Sequence, residues 1–172
     1  MGCDIHSFAE VKRKDKWEKV NDHFKLDDFD KKYYKKEKGD EPFGWRNYSI
    51  FAFLADVRNY EHCEPISEAK GFPEDASNEV KKEYDDWFGD AHSASHLTLK
   101  ELIDFDYDKK FWNRRVIKKT SYGFNGASLA EEGEGKIISY KDNLGKDFFD
   151  VIEELKELGK PEDVRIVFWF DN

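Results

Sequence analysis

Cys3-Asp4-Ile5-His6-Ser7-Phe8-Ala9-Glu10-Val11 is the stretch that decides the fold. Cys3, Ile5, Ala9 and Val11 share one side of a period-two pattern, with Ser7 between them. Asp4, His6, Phe8 and Glu10 share the other. That alternation predicts a strand over Cys3–Lys12, and Trp17–Val20 returns as a hairpin around Arg13-Lys14-Asp15-Lys16. The far end repeats the signal. In Val164–Asn172, Val164, Ile166, Phe168 and Phe170 share a face, and Arg165, Val167, Trp169 and Asp171 share the other. Strands at both termini predict an α+β fold. The expected arrangement is a mostly antiparallel sheet pairing the terminal strands centrally, helices covering one face, and long functional loops, all in one domain, 1–172.

The interior supplies the helices. Tyr48–Val57 is dense in apolar residues and predicts a buried helix entered from Arg46-Asn47. Ala76–Phe88 predicts a polar helix stopped by Gly89-Asp90. Thr98-Leu99-Lys100-Glu101 has capping-box spacing and opens a short helix with Leu99, Leu102 and Ile103 inward. Lys146–Leu158 carries the clearest apolar stripe, Phe148, Val151, Ile152 and Leu155, with Gly159 and Pro161 as a stop. Lys136–Lys141 reads as a short strand, and Phe111–Lys119 fits strand and helix equally. Residues 21–43 read as a charged surface loop with one short helix. Residues 58–75 and 120–135 read as irregular connections, a length often associated with function.

Composition bounds the function. Charged residues make up 39% of the 172 and aromatics 16%, so the aromatic rings must supply much of the core. The formal net charge of −9 disfavours general binding to duplex nucleic acid, which needs a basic surface. Two local basic runs, Lys31–Lys36 and Arg114–Lys119, read first as solvated faces. Cys3 and Cys63 provide neither a disulfide framework nor paired zinc ligands. No apolar run approaches membrane-spanning length, no secretory h-region is expected, and the acylation pattern Met-Gly-x-x-x-Ser/Thr fails at His6.

Four polar groupings are candidate sites. Asp4 and His6 stand about 6.8 Å apart along one strand face, where a carboxylate and an imidazole can orient a general base or hold a metal. The alternative is a surface pair beside a hairpin. Asp90, His92, Ser93, Ser95 and His96 crowd the segment read as a Ser-rich turn before Thr98, where His92 could donate a proton to a leaving oxygen; local capping with exposed histidines is the alternative. Arg46-Asn47-Tyr48 and Arg58-Asn59 flank the apolar helix, as a phosphate and base or ribose clamp or as helix-end caps. Ser67 lies in the Glu64-Pro65-Ile66-Ser67-Glu68 segment. Phosphate-loop, dinucleotide-fingerprint, His-Glu-x-x-His and Gly-x-Ser-x-Gly patterns are all missing from the sequence.

Taken together, Met1-Gly2-Cys3-Asp4-Ile5-His6, Arg46-Asn47-Tyr48-Ser49-Ile50-Phe51, Ala55-Asp56-Val57-Arg58-Asn59, Pro65-Ile66-Ser67-Glu68 and Val164–Asn172 make the chain resemble a widespread family of small bacteriophage proteins. It departs from that pattern in two places. Lys70 stands where relatives tend to carry arginine, and Ala94 and His96 stand where they tend to carry histidine and tryptophan, which leaves His92 as the better candidate in its segment. The resemblance implies a phage source and action in the host bacterial cytoplasm, and it supplies no activity. Small phage proteins with polar pockets often counter host defences signalled by cyclic or ADP-ribose-derived nucleotides, which extends to this chain by analogy.

The reading that follows is a phage accessory protein binding a phosphate-bearing, nucleotide-like ligand. Asp4, His6, Asp90 and His92 are its catalytic candidates. Arg46, Asn47, Tyr48, Arg58, Asn59, Ser67, Ser93 and His96 are its ligand-binding candidates. If the histidines act as base and acid, the protein is a phosphodiesterase-type hydrolase; if they only hydrogen bond, it sequesters the ligand. No metal or other cofactor is assigned. A metal-dependent hydrolase built on Asp4, His6, Asp90 and His92 is one alternative, and an acidic protein-binding inhibitor or morphogenesis factor is another. No membrane partner is expected, and an exposed sheet edge on an aromatic-rich chain would suit a homo-oligomer.

Overall fold

The computed structural model describes residues 2–87 and 89–172. Met1 and the predicted helix end at Phe88 lie outside the described residues. In chain order the elements are β1 (Asp4–Arg13), β2 (Lys16–Lys19), β3 (Phe24–Lys25), α1 (Asp28–Tyr34), β4 (Lys38–Gly39), α2 (Tyr48–Ala55), α3 (Asn78–Asp86), β5 (His92–Thr98), α4 (Leu99–Asp104), β6 (Lys110–Asn113), β7 (Arg115–Lys119), β8 (Asn125–Leu129), β9 (Lys136–Ser139), α5 (Tyr140–Lys156) and β10 (Val164–Asp171). The fold is α+β with antiparallel sheets and a strand at each end of the chain.

Contacts cluster into two compact units. The first comprises Met1–Arg46, Ala69–Asp104 and Lys146–Asn172, and the second Asn47–Glu68 and Phe105–Gly145. The division falls inside α5 at Gly145, whose φ of 76° breaks the helix. A side chain is strained in that conformation and glycine is not.

The first unit is built on a four-stranded sheet, β2-β1-β10-β5. The terminal strands pair antiparallel along their length, from Asp4↔Asp171 to Val11↔Val164. The β1–β2 turn places Lys14 and Asp15 at φ 48° and 63°. Two positive values are what a two-residue hairpin turn needs to match the twist of its strands. One face of the sheet carries Phe8, Val167 and Trp169 under Val80 of α3, with Tyr84, Trp87 and Phe72 packed around them. The opposite face is covered as well. Ser7 Oγ accepts from the Phe43 N–H (2.9 Å), and Phe43 stacks on Phe148 of α5 at 5.4 Å. Burial on both faces explains why Val164–Phe170 is buried at every position.

A buried ion pair fixes α3 to the sheet. Glu10 and Arg165 are opposite each other in the β1–β10 register, and the Arg165 Nε donates to Glu10 Oε2 at 2.7 Å. The other Glu10 oxygen accepts from the N–H of Ser77, the α3 N-cap, at 2.7 Å. Trp17 lies against the Arg165 guanidinium and donates its indole N–H to Asp75, which also accepts from Arg165.

Two expectations are corrected here. The segment read as a Ser-rich turn is strand β5 at the edge of this sheet, because Leu97 and Ser95 pair with Ile166 and Phe168 and are buried there. Ile103 is exposed, since six residues of α4 bury only Leu99 and Leu102. The capping box does form: the Glu101 N–H donates to Thr98 Oγ1, and the Thr98 N–H donates to Glu101 Oε2.

In the second unit α2 buries Ile50 through Ala55 and is capped by Asn47 Oδ1, which accepts from the N–H groups of Ser49 and Ile50. Phe53 meets Phe105, Tyr107 and Tyr140 there. The undecided Phe111–Lys119 region is two strands, and each makes a separate ribbon, β6 with β9 and β7 with β8. Among the described residues no helix is long and apolar enough to cross a membrane.

Candidate functional site

Pairing of the two terminal strands assembles a polar cluster on the α3-covered face of the first unit. Residues directly opposite in register share a face, so Asp4, His6, Trp169 and Asp171 lie side by side. His6 Nε2 is 3.4 Å from Asp171 Oδ2. The other Asp171 oxygen accepts from the Asp4 backbone N–H at 3.1 Å, so the carboxylate is anchored to β1 before it meets the imidazole. The His6 ring packs on Trp87 at the end of α3, with centroids 4.0 Å apart, and lies 5.9 Å from Trp169. Both polar side chains are mostly covered, with 18% and 19% of their surface exposed.

Arg46 closes the outer side. Its Nε and Nη2 donate to the two Asp4 oxygens at 2.8 and 2.6 Å, a bidentate pair that is half exposed. The guanidinium holds the Asp4 carboxyl below the usual carboxylate range, by hydrogen bonding first and by charge second, against the partial desolvation that would raise it. Gly2 belongs to the same arrangement. A Cβ added there would overlap the clamped guanidinium, so a backbone without a side chain passes against Arg46. Chemically, the cluster offers an imidazole oriented by a carboxylate, a fixed guanidinium and a half-buried indole face.

The structure does not bring His92 into this cluster. His92 pairs with Phe170, and adjacent residues of β10 point to opposite faces, so His92 lies on the side opposite His6 and stacks on Phe170 at 6.1 Å. The shift comes from an irregularity in the β10–β5 pairing at Ser93, whose φ is 51°. His92 Nδ1 is 3.1 Å from Ser93 Oγ, and its Nε2 is buried with no hydrogen-bond partner among the described residues. His96 pairs with Val167 and so returns to the His6 side, where its Nδ1 donates to the Gly71 carbonyl. Burial pulls the His96 pKa below its ordinary value, against the Gly71 carbonyl, which would raise it. Asp90 is exposed in the turn after α3, where its N–H donates to the Trp87 carbonyl. Asp4, His6, Asp90 and His92 therefore form no single ligand set. Among the described residues no group of three or more His, Cys, Asp and Glu could hold a metal ion.

The remaining candidates belong to the second unit, where several have structural work. Asn47 caps α2. Asn59 holds its own loop, donating to Asp56 Oδ1 and the Cys63 carbonyl and accepting from the Cys63 N–H. Tyr48 packs against Phe51 and Tyr60, and Arg58 reaches the Tyr60 hydroxyl at 3.5 Å. Ser67 Oγ is buried with no hydrogen-bond partner among the described residues.

Three residues of the cluster were not singled out from sequence: Asp171, Trp87 and Trp169. Asp171 and Trp169 were legible, since pairing the two terminal strands end to end sets them opposite Asp4 and His6. Trp87 was not, because its position depends on how α3 lies across the sheet. Two open clefts of about 240 and 330 Å³ lie beside the β1–β2 hairpin, and none of the sequence-derived candidates lines either one. Comparison with protein families, with characterised proteins and with solved structures finds no match to this chain.

Proposed function

We propose that this protein binds a small phosphate-bearing, nucleotide-like ligand at the Asp4–His6–Arg46–Asp171 cluster. In this reading it is a phage accessory protein acting in the host cytoplasm against nucleotide-signalled defence. The observation that carries it is the held imidazole. His6 is packed on Trp87 with Asp171 at Nε2, which leaves Nδ1 as the nitrogen for a ligand. An imidazole oriented by a carboxylate presents its other ring nitrogen in a fixed direction, as a hydrogen-bonding group or a general base for a bound ligand. Arg46, half exposed and held bidentately by Asp4, is the guanidinium that a phosphate would meet in exchange for that carboxylate, and the Trp87 ring supplies an aromatic neighbour for a base. His92 has no part in this reading, so proton transfer rests on His6 alone. A single oriented imidazole fits sequestration at least as well as hydrolysis.

The test is a panel of cyclic dinucleotides and ADP-ribose derivatives mixed with the purified protein, followed by denaturation and analysis of the released small molecules. Intact ligand identifies a sponge, and fragments identify a hydrolase. A panel in which no member is retained or altered ends the proposal.

A further inference from the structure

The β7–β8 ribbon of the second unit stands out against the rest of the chain. Residues 109–130 contain six lysines and arginines and no carboxylate, in a protein of net charge −9. The register Arg115↔Leu129, Ile117↔Ala127 and Lys119↔Asn125 puts Arg115, Ile117, Lys119, Asn125, Ala127 and Leu129 on one face, two of them cations, and all six positions are exposed. Among the described residues neither Arg115 nor Lys119 has an ion-pair partner. Two nearby acids, Glu134 and Glu131, pair with Lys118 on the other face. At the tip, a loop closed by the Thr120 N–H donating to the Phe124 carbonyl presents Tyr122 and Phe124, 86% and 74% exposed. Gly123 at φ 83° lets the chain turn between the two rings.

We infer that this ribbon is a docking surface for single-stranded nucleic acid. Cations along a strand follow a phosphate backbone, and exposed rings at its end stack on unpaired bases, a combination that tolerates sequence. Duplex offers no free base faces to Tyr122 and Phe124. An acidic peptide would satisfy Arg115 and Lys119 but would have no comparable use for the two rings. The ribbon is an inference separate from the His6 cluster, and neither depends on the other.

The experiment is fluorescence anisotropy of the full chain with labelled dT20, U20, a 20-base-pair duplex and an acidic peptide, at 50 and 200 mM salt. The single strands bind most tightly. Two phosphate contacts give a salt slope of about −1.4, a loss of roughly sevenfold between the two salt concentrations. Tyr122→Ala/Phe124→Ala weakens binding by roughly tenfold or more. Arg115→Gln/Lys119→Gln weakens it and flattens the salt slope. Circular dichroism melts check that both double variants remain folded, and the wild-type comparison of the four probes decides the matter if either does not. No binding to single strands at 50 mM salt, or tighter binding of the duplex or the peptide, overturns the inference.

Discussion

At the scale of single residues, position in the register outweighs residue type. His6 and His92 are both strand histidines beside aromatic rings, yet one faces a carboxylate and an indole and the other packs on Phe170 from the opposite side. Period two made His6 legible. The segment around His92 reads as a turn and so assigns it no face, and in the strand that forms there the extra residue at Ser93 turns His92 away from His6. Glu41 shows burial acting on charge. Desolvation, helped by the Glu83 and Asp40 carboxylates, pushes its pKa up to about 7. A raised carboxyl pKa means the folded state holds a proton that the unfolded state has lost between about pH 4.5 and 7. Its contribution is close to zero below that window, and a cost builds as pH rises through it and is complete above it. Glu41→Gln is therefore neutral at pH 4 and stabilises the protein at pH 8 by roughly 1–3 kcal/mol, as urea denaturation at the two pH values will measure. Destabilisation at pH 8 would contradict this origin of the shift.

Elements were legible where their ends carried their own chemistry. Thr98 with Glu101 caps α4 as its spacing predicts, and Asn47 caps α2 at the expected entry, whereas Ser77, inside the helix expected over Ala76–Phe88, is the cap of α3. Strand β5 was not legible. His92-Ser93-Ala94-Ser95-His96 has the small and polar composition of a turn, and only pairing with β10 makes it a strand. The β7–β8 ribbon was hidden for a related reason, since its exposed alternation lacks a buried face to mark it. The element that depends most on one interaction is α3, whose first turn is tied to the sheet through Glu10 and Arg165. Removing one partner of a buried pair leaves the other charge uncompensated. Glu10→Ala costs about 3–5 kcal/mol in equilibrium unfolding. The double change Glu10→Leu/Arg165→Met costs much less, because no charge is stranded. Equal losses for the single and double variants would show that the pair is not what holds α3.

For the whole molecule, the sequence made the ends of the chain more readable than its middle. Both terminal strands alternate strongly, and their pairing sets the sheet, the site and the burial of Trp169 and Phe168 together. The assignment of core to aromatic rings holds for Phe24, Phe43, Phe51, Phe53, Tyr140 and Phe148, which are all buried. It fails for Phe29, Tyr33, Tyr122 and Phe124, which stay in water, because composition cannot say which rings find an interior. The division into two units was equally invisible, since each is assembled from segments far apart in sequence. The measurement that bears most directly on the proposed function is calorimetric titration of wild type, His6→Ala and His92→Ala with each cyclic dinucleotide and ADP-ribose derivative of the panel. The account predicts that His6→Ala loses binding at least tenfold while His92→Ala, altered on the opposite face of the sheet, binds as wild type does. Loss of binding in His92→Ala with His6→Ala unaffected would contradict it.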